Sequence, residues 1–447
     1  MSLKALSGFC KLVGKNSTRK ILNPANFKIK TDRNLHITGS RFGVTAAIDT
    51  KQPATITKTF PTAHQSLQIG FHDNLASDFQ FIWLRDNCKC SKCVHPDSKQ
   101  KMLDTVSLDI NIKPKSYHLT EKGMLKIIWP DTEGDHVSLY DPTWLHKYGK
   151  GFELDSHESI HDDNLPAMIP WDRDTIQQIK PEVNYEEVME TEEGLKKWLE
   201  NIYKYGLAIM KGVPRRTGEV INVMERVAYV KKTKWGSSFD VKCEPVQNDP
   251  KHLAFTGMYL EHHTDMNYLE KSPGLQALLC MKANPAIEGE SIGGQSFFVD
   301  GFHIAKWLRK EHPSSFHVLT STLVEFKIHS HNMEYCNNQY VLHANKSGDI
   351  QEVHYNTRTM SPLKGPKDTV QAFYGAYQLF GQKMREPESE YMFNLVPGDL
   401  VAFNNRRILH GRTSFDPRKV SRHLEGCYGD IDEVFVQYKS FMKNSDK

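Results

Sequence analysis

The chain has 447 residues, of which 25% are charged, 39% hydrophobic and 10% aromatic, a composition typical of folded globular proteins. Its 57 basic and 54 acidic residues nearly cancel to a net charge of +3, so neither nucleic-acid nor membrane binding is indicated. No stretch approaches the ~18 consecutive apolar residues that a membrane-spanning helix needs. At ~150 residues per domain, the length allows two or three domains.

The N-terminal segment is strongly basic. Its first 31 residues contain seven lysine or arginine side chains and no acidic one. Mitochondrial transit peptides are basic, poor in acids and amphipathic. Residues 1–35 are therefore interpreted as a transit peptide or a disordered extension, and the expected location is the mitochondrial matrix, with the cytoplasm as the alternative.

Residues 60–150 are predicted to form a small β-rich domain. Apolar and polar residues alternate with period two over 105–112, which predicts a half-buried strand, and 125–129 is a second strand candidate. Asp141 followed by Pro142 is typical of a helix start.

The next 34 residues, 151–184, carry several Pro, Asp and His residues and little periodicity, so they are predicted to be a linker. Residues 185–440 are predicted to form a second domain. It opens with an amphipathic helix over 195–203, which ends near Gly206, and a strand at 207–210.

Beyond a second helix near 217–231, short strands dominate. They are predicted at 275–281, 296–300, 323–328, 340–344, 351–355, 391–396 and 399–403, with helices near 302–310 and 368–385. Many short strands separated by turns indicate a sandwich or barrel of jelly-roll type. The predicted fold class is mainly β with flanking helices.

The triplet His263-Thr-Asp265 is the first candidate site. On an extended strand, side chains two positions apart point to the same face, so this imidazole and carboxylate could bind one metal. Two histidines and one carboxylate form the ligand triad of non-haem ferrous oxygenases, which leaves coordination positions open. His410 lies 147 residues downstream after a strand candidate and could complete the triad if the two strands pair.

Arg422 follows His410 by 12 residues. A guanidinium holds a carboxylate through two parallel hydrogen bonds, so Arg422 could bind the far end of a dicarboxylate whose near end chelates the metal. The joint pattern favours a metal-dependent oxygenase over unrelated structural histidines and surface salt bridges.

Three cysteines lie within six positions and indicate a second metal site. Cys88, Cys90 and Cys93 supply three thiolates, and a closed structural zinc site needs one further ligand. His95 is near in sequence but would require a very tight turn. His136 is the alternative, because a hairpin can return it to the cysteines.

Several long phrases of this sequence resemble the family of γ-butyrobetaine and trimethyllysine dioxygenases, which depend on iron and 2-oxoglutarate. The similarity spans about residues 75–435, and its phrases lie at 83–93, 263–265, 273–276, 293–296, 299–302, 397–399, 409–412 and 421–428. The resemblance implies a double-stranded β-helix catalytic domain of the clavaminate-synthase-like type behind a zinc-binding N-terminal domain.

The resemblance also implies roles for individual residues. Iron would be bound by His263, Asp265 and His410, and 2-oxoglutarate by Arg422 with help from Ser296 and Leu278. The cofactors would be Fe(II), structural Zn(II) closed by His136, and 2-oxoglutarate as co-substrate, with ascorbate as reductant. Oxidative decarboxylation would release succinate and carbon dioxide while the substrate is hydroxylated.

The substrate implied by the resemblance is a trimethylammonium compound, most directly γ-butyrobetaine, which would become L-carnitine. A quaternary cation is recognised by aromatic faces. The corresponding positions here, together with one amide near the substrate carboxylate, are Trp235, Phe239, Phe255, Tyr428 and Asn356. Met266 and His252 depart from the tyrosine and asparagine of the butyrobetaine enzyme, so trimethyllysine and other betaines stay open as substrates.

The expected partners are thus a small quaternary ammonium substrate and O2, in a homodimer, with neither nucleic acid nor a membrane. Two functions of other classes remain as alternatives. A zinc hydrolase could use the same two-histidine, one-aspartate ligand set to activate water. A non-enzymatic binding module could use the cysteine-rich unit to contact a macromolecule.

Overall fold

The computed structural model describes residues 53–63, 65–131, 134–153, 165–243, 257–283, 293–330, 333–416 and 420–444. All of them except Pro53 belong to the compact unit that runs from Ala54 to Lys447. The predicted N-terminal transit peptide or extension, residues 1–35, lies outside the described residues. No helix in the described ranges is both long and apolar enough to cross a membrane.

The N-terminal part of the described chain contains two antiparallel three-stranded sheets. Its elements are β1 (Ile56–Pro61), β2 (Ser66–Phe71), β3 (Ala76–Gln80), α1 (Phe81–Asp86), a short 3-10 helix (Thr105–Ser107), β4 (Ser116–Leu119), β5 (Leu125–Trp129), β6 (His136–Tyr140) and α2 (Pro142–Glu153). The sheet orders are β1-β2-β3 and β4-β5-β6. Alternate side chains of β5 and β6 enter a shared core with β2 and β3, as period-two patterning requires.

The strand predicted at 125–129 and the helix start at Pro142 are confirmed, but the strand predicted at 105–112 is wrong. The Asp104 side chain accepts a hydrogen bond from Val106 N, and this local turn outcompetes the alternating pattern. The apolar side chains of that segment are therefore not buried on one face, and Val106 is 91% exposed.

The segment that follows links the two parts through regular structure. Its elements are α3 (Arg173–Ile179), β7 (Glu182–Asn184), α4 (Tyr185–Glu190), α5 (Glu192–Tyr205), β8 (Leu207–Lys211), α6 (Glu219–Glu225) and β9 (Phe239–Cys243). The end of α5 is fixed by Gly206, which adopts φ 72° and so allows the left-handed turn into β8. The helix predicted near 217–231 is correct in place but shorter in the structure.

The remaining elements supply most of the catalytic part. They are β10 (Leu260–His263), β11 (Leu275–Lys282), β12 (Ser296–Asp300), α7 (Gly301–Glu311), α8 (Pro313–Ser321), β13 (Leu323–Ser330), β14 (Met333–Tyr340), β15 (Leu342–Ala344), β16 (Ile350–Val353), α9 (Lys367–Met384), β17 (Tyr391–Phe393), β18 (Leu400–Asn404), β19 (Ile408–Arg412), β20 (Arg422–Gly429) and α10 (Ile431–Asn444).

Two sheets face each other across the catalytic part. The six-stranded sheet has the order β7-β8-β18-β11-β20-β9 and the four-stranded sheet the order β10-β19-β12-β17. Leu278 and Val401 of the larger sheet share one apolar cluster with Phe298 of the smaller, so the inner faces pack directly. On the outer face of the larger sheet, Ala208 and Leu279 contact a cluster that includes the apolar faces of α5 and α10. The predicted jelly-roll fold with flanking helices is confirmed.

Candidate functional site

A cavity of about 490 Å³ opens between the two sheets and contains most of the predicted site residues. His263, Asp265 and His410 line it, as do the two carboxylate-binding candidates Arg422 and Ser296. Residues separated by more than 150 positions in the chain therefore meet around one space.

The pairing of β10 with β19 brings the two histidines together. His263 stands directly opposite His410 in this antiparallel pair, and their ring centroids are 4.2 Å apart. His263 Nε2 lies 3.4 Å from Asp265 Oδ1, and His410 Nε2 lies 3.7 Å from Asp265 Oδ2. One ligand atom from each of the three side chains lies within 4.8 Å of the others, so a single metal ion could be bound by all three.

The shared-strand argument for Asp265 is wrong in detail, because β10 ends at His263. Asp265 lies in a turn, followed by Met266 at φ 59°, a left-handed conformation that is uncommon for residues other than glycine. Asn405 fixes this turn: its Oδ1 accepts a hydrogen bond from Asp265 N at 2.8 Å, and its Nδ2 donates to Asp265 O at 3.1 Å and to Pro273 O at 2.9 Å.

The protonation states favour metal binding. Burial lowers the pKa of His410 to about 3 and also lowers the pKa of His263, so both imidazoles are neutral and can donate a lone pair. His263 Nδ1 lies 2.7 Å from Glu261 O, which turns Nε2 toward the cavity. Burial opposes ionisation of Asp265, but the adjacent imidazoles and hydrogen bonds outweigh it and hold its pKa well below the ordinary value.

Two further side chains orient the Asp265 carboxylate. Tyr428 donates its hydroxyl hydrogen to Asp265 Oδ2 at 2.9 Å, and Gln276 Nε2 donates to the same oxygen at 3.0 Å. Sequence reasoning included Gln276 in a family phrase without giving it this role. It assigned Tyr428 only to substrate binding, whereas in the structure the Tyr428 hydroxyl also donates a hydrogen bond to Asp265, one of the metal-ligand candidates.

The donor set fits ferrous iron, because two neutral imidazoles and one ionised carboxylate meet with cavity space beside them. The same cavity fits a dicarboxylate. Arg422 begins β20 and donates from Nη2 to Ser296 Oγ at 3.2 Å, so a guanidinium and a hydroxyl lie side by side on the wall, with Leu278 nearby.

Aromatic residues line the part of the cavity assigned to the substrate. Trp235, Phe239 and Tyr428 are all in the wall, and Phe239 stacks on Tyr428 with ring centroids 5.0 Å apart. Asn356 is buried in the wall and donates from Nδ2 to Thr264 O at 3.1 Å. The other two substrate positions considered, Phe255 and His252, lie outside the described residues.

Tyr268 and Arg358 are among the cavity residues to which sequence reasoning gave no role. Burial lowers the pKa of Arg358, while Asp265 and Glu261 oppose that shift through charge attraction. Arg358 lies two positions after Asn356, and its backbone N–H donates a hydrogen bond to the Asn356 side chain. The turn that positions the Asn356 amide therefore also positions the Arg358 guanidinium.

The cysteine cluster forms a second group of metal-ligand candidates. His136 Nε2 lies 3.3 Å from Cys88 Sγ, 3.6 Å from Cys90 Sγ and 3.5 Å from Cys93 Sγ. Zn–S bonds of ~2.3 Å and Zn–N bonds of ~2.0–2.1 Å in a tetrahedron separate sulfur and nitrogen by about 3.5 Å, so the spacing fits zinc.

The surroundings of this cluster also suit zinc. Burial lowers the pKa of His136, with a further contribution from Arg85, which leaves the imidazole neutral. Burial raises the pKa of the Cys93 thiol, and Arg85 Nη1, which donates to Cys93 Sγ at 3.4 Å, opposes this shift and favours the thiolate form. Of the two histidines considered for the fourth position, the structure brings His136, not His95, into the group.

Comparisons with known proteins agree with this arrangement. The sequence profile of the taurine catabolism dioxygenase TauD, TfdA family matches residues 172–428, and that of the gamma-butyrobetaine hydroxylase-like N-terminal domain matches residues 59–146. The fold and cavity thus define a 2-oxoglutarate-dependent dioxygenase with iron as its metal.

Two relatives that align over most of the chain identify a more specific family within the TauD, TfdA dioxygenases. The chain is 31% identical over 370 residues to the gamma-butyrobetaine dioxygenase of Pseudomonas sp. strain AK-1, an alignment that covers 82% of this chain and 91% of the relative. It is also 31% identical over 366 residues to the mitochondrial trimethyllysine dioxygenase of Mus musculus, covering 80% and 81%. The chain therefore belongs to the TauD, TfdA dioxygenases and, among them, to the family of gamma-butyrobetaine and trimethyllysine dioxygenases.

Asparagine oxygenase in complex with Fe(II), 2S,3S-3-hydroxyasparagine and succinate aligns over 54% of this chain and 80% of its own, with a TM-score of 0.42 and 17% sequence identity.

Proposed function

We propose that this dioxygenase hydroxylates a small trimethylammonium carboxylate, with γ-butyrobetaine as substrate and L-carnitine as product. The observation that carries the proposal is the cavity in which the triad His263, Asp265 and His410 lies beside Arg422 and beside aromatic residues. Relatives named for γ-butyrobetaine and for trimethyllysine, both trimethylammonium compounds, support the substrate class.

Each group of residues has a task in the proposed reaction. His263, Asp265 and His410 would hold Fe(II), and Arg422 with Ser296 and Leu278 would hold 2-oxoglutarate. With iron and 2-oxoglutarate bound, O2 would supply the oxidising equivalents: one of its oxygen atoms would enter the succinate that forms with carbon dioxide from 2-oxoglutarate, and the other would enter the hydroxylated substrate. The buried cavity orients the substrate C–H bond and excludes water from the reacting centre.

The substrate would lie between the aromatic wall and the polar residues near the triad. Trp235, Phe239, Phe255 and Tyr428 are proposed to contact its trimethylammonium group, and Asn356 its carboxylate. Met266 is buried and offers no hydrogen-bond donor from its side chain, so the carboxylate contacts differ from those expected of a tyrosine at that position.

The decisive assay measures succinate and hydroxylated product over a panel of betaines and methylated lysines, with Fe(II), 2-oxoglutarate and ascorbate. We expect turnover with γ-butyrobetaine, and none in the His263→Ala variant. The exposed His343→Ala variant is the matched control and should keep full activity. Turnover of trimethyllysine alone would reassign the substrate, and unchanged turnover in His263→Ala would overturn the iron site.

The co-substrate site has a separate test. Removing the guanidinium in Arg422→Met should raise the apparent KM for 2-oxoglutarate by about 100-fold, since a bidentate charge-assisted contact is lost. An unaltered KM would remove this role from Arg422. Anaerobic incubation separates the proposal from a zinc hydrolase, because only the dioxygenase stops without O2.

We also infer an organisation for the whole chain. Residues 60–150 would form a zinc-bearing domain with Cys88, Cys90, Cys93 and His136 as ligands, and 185–440 the catalytic domain, joined by the linker 151–184. The proposed assembly is a homodimer. A mitochondrial matrix location, reached through residues 1–35, is supported by relatives named as mitochondrial trimethyllysine dioxygenases.

A further inference from the structure

The ammonium group of Lys234 lies inside a box of three aromatic rings. Its Nζ is 4.9 Å from the ring centroid of Trp235, 5.3 Å from that of Tyr268 and 5.1 Å from that of Tyr335. Nζ is buried and has no hydrogen-bond partner among the residues that the structure describes. Among the described residues, the three aromatic faces are therefore the principal stabilising contacts of Lys234 Nζ.

This environment is unusual for a lysine. An ammonium group has three N–H donors, and burying it without acceptors is costly unless other interactions compensate. Burial accordingly lowers the pKa of Lys234. Attraction to aromatic faces compensates in part, and it is the same interaction by which proteins recognise quaternary ammonium ligands.

The box shares two of its walls with the catalytic cavity. Trp235 and Tyr268 line the cavity as well as surrounding Lys234 Nζ. Aromatic surface that would attract a ligand cation is thus already in contact with a cation of the protein. The Phe239 and Tyr428 rings stack on each other at an interplanar angle of 22°. The two ring faces that touch each other are therefore not available to a ligand cation.

The rest of the cavity wall is also positive. Among the described lining residues, Asp265 is the single carboxylate, whereas Lys327, Arg358, Arg412 and Arg422 are cationic. Lys327 is balanced by Glu334 at 3.0 Å, and Arg422 is the candidate for 2-oxoglutarate. Arg358 remains near the triad without an ion-pair partner in the described ranges, and it would attract a ligand carboxylate.

We propose that Lys234 is a resident cation of the aromatic wall that competes with any ligand ammonium group and thereby restricts the enzyme to substrates that also carry a carboxylate. The inference rests on the proposed function, because it concerns how the same cavity selects among ammonium compounds. γ-Butyrobetaine carries one cation and one carboxylate and is neutral overall, whereas trimethyllysine has one further ammonium group. Cations without a carboxylate would be excluded.

The test measures binding rather than turnover. Tetramethylammonium is titrated calorimetrically into the anaerobic enzyme loaded with Fe(II) and 2-oxoglutarate, for the wild type, Lys234→Ala and Lys234→Met. Alanine removes both charge and volume, whereas methionine removes charge and keeps most of the volume. The matched control is Lys232→Ala, since Lys232 is an exposed lysine two positions away.

We expect Lys234→Ala to bind tetramethylammonium at least about ten-fold more tightly than the wild type, as the loss of one competing cation–π interaction predicts. A gain in both variants would assign the effect to charge and support the proposal, whereas a gain in Lys234→Ala alone would assign it to occupied space and overturn the resident-cation role. If neither variant binds more tightly, or Lys232→Ala gains equally, the proposal is overturned.

The binding assay and the turnover assay give independent results, so failure of the Lys234 proposal can be distinguished from failure of the proposed function. A gain in tetramethylammonium affinity without hydroxylation of any betaine would refute the proposed function and leave the role of Lys234 standing. Where betaines are hydroxylated, the ratio of kcat/KM for trimethyllysine to that for γ-butyrobetaine should rise in Lys234→Met.

Discussion

At the scale of single residues, Tyr428 connects the metal-ligand candidates to the aromatic wall. Its ring stacks on Phe239, while its hydroxyl donates to Asp265 Oδ2. Burial and the nearby Asp265 carboxylate raise the pKa of Tyr428 well above its ordinary value, so the hydroxyl keeps its proton and remains a donor. The ring and the hydroxyl can therefore be tested independently.

The residue-scale prediction uses Tyr428→Phe, which keeps the ring and removes the hydrogen-bond donor. Groups that hydrogen-bond to metal ligands typically contribute ~10–100-fold to metal affinity. We expect Fe(II) affinity to fall by about that factor, measured anaerobically by calorimetry, because Asp265 Oδ2 would keep only the hydrogen bond from Gln276.

The matched control is Tyr374→Phe, since Tyr374 lies on the exposed side of α9 and its hydroxyl makes no hydrogen bond that the structure records. Fe(II) affinity should be unchanged there. Equal affinity in Tyr428→Phe and the wild type would mean that the hydroxyl does not orient Asp265.

Sequence reasoning identified the residues with the strongest chemical signatures. His263, Asp265, His410 and Arg422 were found because metal ligands and carboxylate clamps use few residue types, and the structure brings all four to one cavity. Residues that act through geometry carried no such signature. Asn405, for example, became visible only once the turn at Asp265 was seen, because a buried asparagine that bonds to backbone looks like any other in a sequence.

At the scale of elements, the site depends on the register of three neighbouring strands. β19 lies between β10 and β12, which places His410 opposite His263 on one side and opposite Phe298 on the other. A shift by one residue would turn His410 away from the cavity, because successive side chains of a strand face opposite sides. Gly411 follows His410 at this crowded point.

The element-scale prediction is that Gly411→Ala destabilises the fold. A Cβ at this position would overlap the Phe297 ring and the Leu260 carbonyl, so the three strands would have to separate. We expect a loss of about 3 kcal/mol in the free energy of unfolding, measured by urea denaturation, together with weaker Fe(II) binding.

A second glycine provides the control. Gly375 lies in α9 with nothing within 4 Å of its would-be Cβ, so Gly375→Ala should leave stability unchanged or raise it by about 0.5–1 kcal/mol. If Gly411→Ala were as stable as this control, crowding would not be what fixes the register of β19.

Most elements of the catalytic part follow from local patterning, and the exceptions have physical reasons. Strands such as β11 and β12 are buried along most or all of their length and appear as short apolar runs. The segment 105–112 misled because Asp104 and Asp109 make local turns that an apolar alternation does not reveal. α8 and α10 went unpredicted although 431–444 has the spacing of an amphipathic helix.

At the scale of the whole molecule, the two groups of metal-ligand candidates lie in different parts of the chain. The core around β2, β5 and β6 is a separate apolar cluster from those of the catalytic sheets. Cys88, Cys90 and Cys93 follow α1, whereas His136 begins β6, so a bound zinc would tie the segment after α1 to the second small sheet. The two metals should therefore be separable by mutation.

The whole-molecule prediction compares His136→Ala with His95→Ala, the other histidine near the cysteines. Removing His136 takes one of four ligands from the site. Zinc content, measured by inductively coupled plasma mass spectrometry, should therefore fall from one per chain to almost none, whereas His95→Ala should keep its zinc.

Loss of zinc should also be local in its effect on the fold: hydrogen exchange should accelerate in β5 and β6 and stay slow in β11. Because His263, Asp265 and His410 are untouched, Fe(II) affinity should be retained. Zinc retained in His136→Ala, or lost equally in both variants, would contradict this ligand assignment.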